Sequence, residues 1–258
     1  MMSPDWFSIT QLSSCRSKVE RADENIENLG IEINTFLRNN PHRVVGNFDK
    51  NSGHYILTAH GQSDMTRFSI LAGEIVHHLR SVLDHLAWKL CCKPTIRTCF
   101  PIYTADPATD TKVLKRYQRK IEGMGTAAQA LIERLQPYHS LGRNHPLAII
   151  NKMDVADKHH GLLVVVASVS FPRIRMSNQF MAVKDVALPN PIASEAKDGA
   201  EVGRVVPLMG DMNVQVSISF DVAFAQVGLR QNQPIIPTLK QLRDATVTVL
   251  NEFSGEFV

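Results

Sequence analysis

The sequence is poor in cysteine, with four in 258 residues and no C-x-x-C pair among them. Closely spaced cysteine pairs are the usual signature of structural zinc sites, and small disulfide-stapled folds carry cysteine at a far higher density. Two of the four, Cys91 and Cys92, are adjacent, which is typical of buried thiols rather than of a disulfide framework. Neither class of cross-linked fold is therefore expected.

The sequence also lacks a hydrophobic run long enough to cross a membrane. Its longest uncharged apolar stretch, residues 161–171, is much shorter than the roughly 20 residues of a transmembrane helix. Residues 1–6 contain no basic segment followed by an apolar one, so no secretory signal is predicted. We therefore expect a cytoplasmic protein without membrane association.

There is no large excess of charge of either sign. The 28 Lys and Arg residues nearly balance the 25 Asp and Glu residues, and the formal net charge is +3. This balance excludes a disordered acidic chain and a histone-like protein, and it allows a polyanionic partner without requiring one. No Walker loop, G-x-G-x-x-G or G-x-S-x-G motif is present. The sequence therefore predicts no nucleotide cofactor and no nucleophile elbow of the α/β-hydrolase type.

What the sequence does contain is a long amphipathic helix near its N-terminus. Apolar residues recur there at alternating steps of three and four, which is a heptad pattern and a strong helix signal. The pattern predicts a helix of a bundle or of a dimer that ends at Asn39, Asn40 and Pro41. The apolar series consists of Leu12, Cys15, Val19, Ala22, Ile26, Leu29, Ile33 and Phe36.

Hydrophobic periodicity divides the chain into a helical lobe and a β lobe. Residues 1–160 are predicted to be mainly helical, with a small hairpin at 43–60, and residues 161–231 to form an antiparallel β lobe. Strict alternation of apolar and polar residues over 213–224 predicts one strand with one buried face. Residues 232–258 are predicted to form a C-terminal helix that returns to the bundle. The predicted fold class is α+β.

The most informative element is a helix predicted over residues 63–90. One half of its helical wheel is apolar, and the other half carries three His, one Arg, one Asp and one Trp. A solvated face would be dominated by Lys and Glu, which favour helix. The composition instead favours a partly enclosed surface on which titratable groups act. The polar half comprises Glu74, His77, His78, Arg80, Ser81, Asp84, His85 and Trp88.

Within this helix, Arg80 and His85 are spaced as Arg-x4-His, which resembles the R-x(4–6)-H signature of the HEPN ribonuclease superfamily. The resemblance implies a HEPN-like helical bundle that dimerises so that two motifs face one cleft. It also implies metal-independent RNA cleavage, in which a ribose 2′-OH attacks the adjacent phosphate. His85 would transfer protons, Arg80 would hold the phosphate, and Asp84 would orient Arg80. The alternative is an Arg80–Asp84 ion pair with a half-buried histidine at a bundle interface.

A second polar segment closes the predicted helical lobe and contains Asp157, Lys158 and His159. Together with the Arg-x4-His helix, it resembles a group of uncharacterised bacterial proteins that combine the two segments. These three residues, with His77, would support the site through a phosphate contact or a second proton-transfer group. Alternatively, they form a capping cluster at a helix C-terminus, where Lys and protonated His are favoured by the helix dipole.

A short helix predicted over 109–122 is strongly basic. Its positive charges could bind the phosphates of an RNA backbone, and the alternative is an ordinary solvated surface helix. The candidate RNA-binding residues are Lys112, Lys115, Arg116, Arg119 and Lys120.

The resemblance implies a metal-independent, HEPN-like endoribonuclease of defence or toxin type, which acts on RNA as a homodimer that the heptad helix would help to form. The first alternative is a non-enzymatic binding or structural protein. The second is a metal-dependent hydrolase on a helical bundle, for which no H-E-x-x-H motif supplies ligands. His78 and His85 also lie roughly 10 Å apart along the helix axis, too far to share one ion. The sequence does not identify an antitoxin partner for such a toxin.

Overall fold

The computed structural model describes residues 12–39, 43–61, 64–168, 173–176, 183–187, 198–207, 214–217, 220–228 and 230–255. Its helices are α1 (Ser13–Asn39), α2 (Thr66–Leu90), α3 (Thr111–Ile121), α4 (Thr126–Arg134), α5 (Pro146–His160) and α6 (Ile235–Gly255). Its strands are β1 (Arg43–Asp49), β2 (His54–His60), β3 (Val164–Ser168), β4 (Arg173–Met176), β5 (Val183–Ala187), β6 (Glu201–Pro207), β7 (Val214–Ser217), β8 (Phe220–Val227) and β9 (Arg230–Pro234). The strand pairs are antiparallel, so the predicted α+β class with an antiparallel β part and a C-terminal helix is confirmed.

The chain divides into two compact units. The helical unit comprises the described residues of Met1–Leu29, Ile70–Leu162 and Ile236–Val258, and the β-rich unit those of Gly30–Ser69 and Leu163–Ile235. The C-terminal helix α6 therefore belongs, apart from its first residue, to the same unit as α3, α4 and α5. Four of the five apolar positions that its helical spacing predicts are buried, Leu239, Leu242, Val249 and Phe253, and the fifth, Ala245, is partly buried.

The heptad series of α1 is buried within the single chain. Seven of its eight predicted positions, from Leu12 to Ile33, are at most 8% exposed, and Phe36 is partly buried. Each of these side chains is removed from water by intramolecular packing, which stabilises the fold by about 1.5 to 3 kcal/mol for a fully buried Leu or Ile. The apolar face of α1 is consequently covered by other residues of the same chain. A homodimer would have to use a different surface.

The β-rich unit contains a four-stranded sheet in the order β1-β2-β6-β5 and a three-stranded sheet in the order β3-β8-β9. The hairpin predicted at 43–60 forms β1 and β2, and β2 pairs with β6, so the hairpin shares a sheet with strands of the predicted β lobe. A hydrophobic core joins the two sheets through Tyr55, Leu57, Ala59, Val166, Val202 and Val205.

The alternating segment 213–224 contains β7 and the first part of β8. Strand β7 pairs with β4, and strand β8 pairs with β3 and β9. Residues 213, 218 and 219 of this segment lie outside the described residues.

None of the helices in the described part of the chain combines the length and the apolar character that crossing a membrane would require.

Candidate active site on helix α2

Helix α2 is a rigid support for the polar side chains that the sequence singles out. Its apolar half is buried almost completely, which fixes both the position and the rotation of the helix. The buried positions are Ala72, Ile75, Val76, Leu79, Val82, Leu83, Leu86, Ala87 and Leu90. The opposite half carries exposed side chains, among them Glu74, His77, His85 and Trp88.

Arg80 and Asp84 lie together, as both the resemblance and the alternative interpretation of the motif predict. Arg80 Nη2 lies 2.9 Å from Asp84 Oδ1 and also donates a hydrogen bond of 2.9 Å to the Phe100 carbonyl oxygen. The Phe100 backbone N–H in turn donates to Asp84 Oδ1 at 3.0 Å. The two side chains thus bind both backbone polar groups of Phe100, whose ring is fully buried.

This arrangement leaves little of Arg80 for a substrate. Its side chain is 9% exposed, and its Nη2 already has two acceptors. The other terminal nitrogen, Nη1, is buried without a hydrogen-bond partner among the described residues. Burial raises the pKa of the Asp84 carboxyl, an effect that the Arg80 charge and the Phe100 N–H oppose. The pair is therefore suited to anchoring the Phe100 segment.

His85 points away from this pair. Five residues along a helix correspond to about 140° of rotation, so Arg80 lies at the buried edge of the polar face while His85 is exposed. Partial burial lowers the pKa of His85, and the nearby charges of Lys18 and Lys89 lower it further. Within the described parts of the chain, no hydrogen bond joins His85 to Arg80 or Asp84. The two residues that define the R-x4-H motif therefore do not converge in one chain.

A different histidine of α2 has a carboxylate partner. His77 Nδ1 lies 2.9 Å from Oδ1 of Asp154 on α5, whose side chain is only 5% exposed. The second oxygen of Asp154, Oδ2, accepts a hydrogen bond of 2.6 Å from Lys158. The His77 side chain is 55% exposed. A carboxylate on Nδ1 favours the tautomer that carries its proton there, so Nε2 is left with a free lone pair.

Asp157 lies against α2 at Gly73, one helical turn before His77. A Cβ atom at Gly73 would overlap the Asp157 carboxylate, so an alanine there would force this side chain to move. Burial raises the pKa of the Asp157 carboxyl, and the neighbouring Asp154 charge raises it further, whereas His77 acts in the opposite direction. We call His77, Asp154, Asp157 and Lys158 the acid–base site.

Of the residues predicted to support the site, three of four are brought together. His77, Asp157 and Lys158 belong to the acid–base site, whereas His159 is exposed near the end of α5 and makes no hydrogen bond or ion pair with a described residue. Asp154 is the residue that sequence reasoning missed. The only signal for it is its place four residues before Lys158, one helical turn away, which fits an i,i+4 ion pair but does not reveal its burial.

The predicted basic residues lie on α3, and four of the five are exposed. The fifth, Lys120, is half-buried, with its ammonium group 5.1 Å from the centre of the Tyr103 ring. Its charge lowers the pKa of the Cys99 thiol, although burial of the thiol is the larger effect and raises it.

The described residues contain no group of three or more His, Cys, Asp or Glu side chains arranged to hold a metal ion. The convergence that a metal-dependent hydrolase requires is thus not found in the part of the chain that the structure describes.

Comparison with known protein families, with curated proteins and with solved structures yields no significant match to this chain.

Proposed function

We propose that the protein is a metal-independent endoribonuclease of HEPN-like, defence or toxin type, and that His77 transfers protons in its reaction. One observation carries the proposal: an exposed imidazole on the Arg-x4-His helix is hydrogen-bonded at 2.9 Å to a buried carboxylate. A histidine whose Nδ1 is held by a carboxylate and whose Nε2 is open to solvent has the geometry of a general acid–base group.

The reaction needs only groups that the chain supplies. His77 Nε2 removes the proton of a ribose 2′-OH, the 2′-oxygen forms a bond to the adjacent phosphorus, and the bond to the 5′-oxygen breaks. The leaving 5′-oxygen takes a proton from an acid, for which Asp157 is the candidate because its carboxyl lies against α2 at Gly73, one helical turn from His77, and burial raises its pKa. The products are a 2′,3′-cyclic phosphate and a 5′-hydroxyl. Lys158, beside Asp154, supplies positive charge for the phosphate.

The proposal reassigns the roles that the resemblance to the superfamily implies. Arg80 and Asp84 position the Phe100 segment instead of contacting the phosphate. His85 lies eight residues from His77, roughly 12 Å along the helix axis, and is too distant to act on the same phosphate in one chain. The substrate would be cytoplasmic RNA, and a homodimer would form through a surface other than the apolar face of α1.

The test is cleavage of a fluorescently labelled RNA in the presence of EDTA. We expect His77→Ala to lower the rate by on the order of 10² to 10⁴, the usual contribution of a general acid–base group. Asp154→Asn should lower it by about 10- to 100-fold, the usual cost of losing the partner that orients a histidine. The matched control is His85→Ala, which should cleave at nearly the wild-type rate. Absence of cleavage by the wild type, or equal cleavage by wild type and His77→Ala, would refute the proposal.

A non-enzymatic binding protein is the second candidate. This hypothesis is favoured by the Arg80–Asp84 pair. The polar atoms of the two side chains bind the Phe100 backbone, which is a structural role and not a catalytic one. Under this hypothesis the wild type binds RNA or another ligand but leaves RNA intact in the same assay, and none of the three variants changes the amount of intact RNA.

A further inference from the structure

Helix α3 presents a row of like charges to solvent. Its N-terminus is capped by Asp110, which accepts hydrogen bonds from the backbone of Lys112 and Val113, and its inner face is fixed by buried Tyr117 and Ile121. The outer face carries basic residues at i, i+3, i+4 and i+7, which lie on one side of a helix. We call these residues the basic stripe: Lys112, Lys115, Arg116 and Arg119.

The stripe is not neutralised within the chain. In the ranges that the structure describes, no carboxylate forms an ion pair with any of its four members, whereas other surface arginines such as Arg21, Arg67 and Arg134 do have acidic partners. Like charges one turn apart destabilise a helix. An anionic ligand would relieve this repulsion, so the stripe is a candidate anion-binding surface.

A cleft of about 320 Å³ opens beside the stripe, between α3 and α4. Two members of the stripe line it together with uncharged amides and one carboxylate. Its lining residues are Lys115, Gln118, Arg119, Ile121, Glu122 and Gln129. A ligand that fits this cleft must therefore offer an anion to the two cations and a hydrogen-bond donor to the carboxylate.

We propose that this cleft is a ribose–phosphate subsite for RNA, in which Lys115 and Arg119 bind a phosphate and Glu122 accepts a hydrogen bond from a ribose 2′-OH. The proposal rests on RNA being the substrate, as proposed above, and it adds a binding site separate from the acid–base site. Phosphate and hydroxyl are adjacent in every ribonucleotide, and the 2′-OH is the group that distinguishes RNA from DNA.

Other polyanions fit the cleft less well. A membrane surface would require exposed apolar side chains beside the cations, but Tyr117 and Ile121 are buried. The carboxylates of an acidic peptide would be repelled by Glu122, and such a peptide has no ribose hydroxyl to donate a hydrogen bond to Glu122. The stripe extends roughly 10 Å along the helix from Lys112 to Arg119, which leaves room for a second phosphate on Lys112 and Arg116.

The test measures binding separately from cleavage. A fluorescein-labelled single-stranded RNA and the DNA of the same sequence are titrated with the His77→Ala protein, and anisotropy is followed at several NaCl concentrations. Lys115→Gln and Arg119→Gln, added to this background, should each weaken RNA binding by several-fold and reduce the dependence of log K on log salt by about 0.7. The matched control is Lys240→Gln on α6, outside the stripe, which should bind like the parent.

Glu122→Gln tests recognition of the ribose. We expect the preference for RNA over DNA to fall several-fold, because the amide is a weaker acceptor and no longer repels a strand that lacks the hydroxyl. Unchanged RNA binding in Lys115→Gln and Arg119→Gln, or an unchanged RNA–DNA preference in Glu122→Gln, would overturn the subsite. So would binding of anionic phospholipid vesicles or polyglutamate in place of RNA.

The two proposals fail in different ways. If the cleft variants lose RNA binding while the wild type cleaves no RNA, the subsite stands and the ribonuclease does not. If cleavage depends on His77 but the cleft substitutions leave RNA binding unchanged, the ribonuclease stands and the subsite does not.

Discussion

Two regions of α2 carry the same types of residue in different surroundings. In the acid–base site, the His77 ring is exposed to solvent and its Nδ1 is hydrogen-bonded to the buried Asp154 carboxylate. In the R-x4-H motif, the arginine is buried and engaged by the protein backbone, and the histidine is exposed among lysine charges. Residue type alone therefore does not assign a role on this helix. The side chains of α5 and of the Phe100 segment, which pack against α2, divide it into a reactive part and a structural part.

The largest expected effect is on stability, at the structural part. Arg80→Ala would leave the half-buried Asp84 carboxylate without its cation and the Phe100 carbonyl without its donor. We expect the free energy of unfolding to fall by about 2 to 3 kcal/mol, slightly below the usual cost of breaking a buried pair because Asp84 retains some contact with water. Urea denaturation at neutral pH measures the change.

The matched control is Arg21→Ala, which breaks the exposed pair with Glu24. Exposed pairs of this kind contribute about 0 to 1 kcal/mol, so this variant should unfold almost like the wild type. If Arg80→Ala were equally harmless and instead abolished RNA cleavage, Arg80 would be a catalytic residue and the contrast between the two regions would be wrong.

The second expected effect concerns the contact that holds Asp157 in the acid–base site. A Gly to Ala change inside a helix normally stabilises it by about 1 kcal/mol. At Gly73 the new Cβ would displace the Asp157 carboxylate, so we expect a net loss of about 1 kcal/mol, together with a lower cleavage rate. The measurement is urea unfolding of Gly73→Ala.

Removing the carboxylate should reverse the sign of this effect. In an Asp157→Ala background, Gly73→Ala no longer meets the carboxylate, and its helix preference should stabilise the protein. An equal destabilisation in both backgrounds would mean that Asp157 is not what requires glycine at position 73.

The parts of this structure that sequence predicts are those encoded by local periodicity. The burial of α1 and α6 follows from their apolar spacing, and the Arg80–Asp84 pair follows from two opposite charges one turn apart. The His77–Asp154 contact joins residues 77 positions apart, and no pattern along the chain connects them.

A smaller, spectroscopic effect separates the two histidines. Asp154 on Nδ1 should hold His77 in the tautomer protonated at Nδ1, while His85 has no carboxylate within hydrogen-bond distance among the described residues. The ¹⁵N chemical shifts of the imidazole rings, measured above pH 7.5, report the tautomers. We expect an Nδ1–H form for His77 in the wild type and a mixture in Asp154→Asn. A mixture in both proteins would mean that Asp154 does not orient the ring.

The smallest expected effect tests the electrostatics on the other side of α2. Partial burial and the Lys18 charge lower the pKa values of both His78 and His85, whereas Lys89 acts on His85. Lys18→Gln should therefore raise both pKa values toward 6.5 in an NMR titration, and the control Lys89→Gln should raise that of His85 alone.

The same shifts make a prediction about acid stability, with a definite sign. A histidine whose pKa is lower in the folded state stabilises the protein fully above about pH 6.5, the unfolded value, and this contribution is lost as the pH falls toward the folded pKa. Lys18→Gln should reduce the loss on the acid side, so its unfolding midpoint in urea should fall less than that of the wild type between pH 7 and pH 5. If the midpoints of the two proteins fall in parallel, Lys18 does not control His78 and His85. The lysine charges near His85 would then not account for the electrostatic difference between His85 and His77, which has a carboxylate partner.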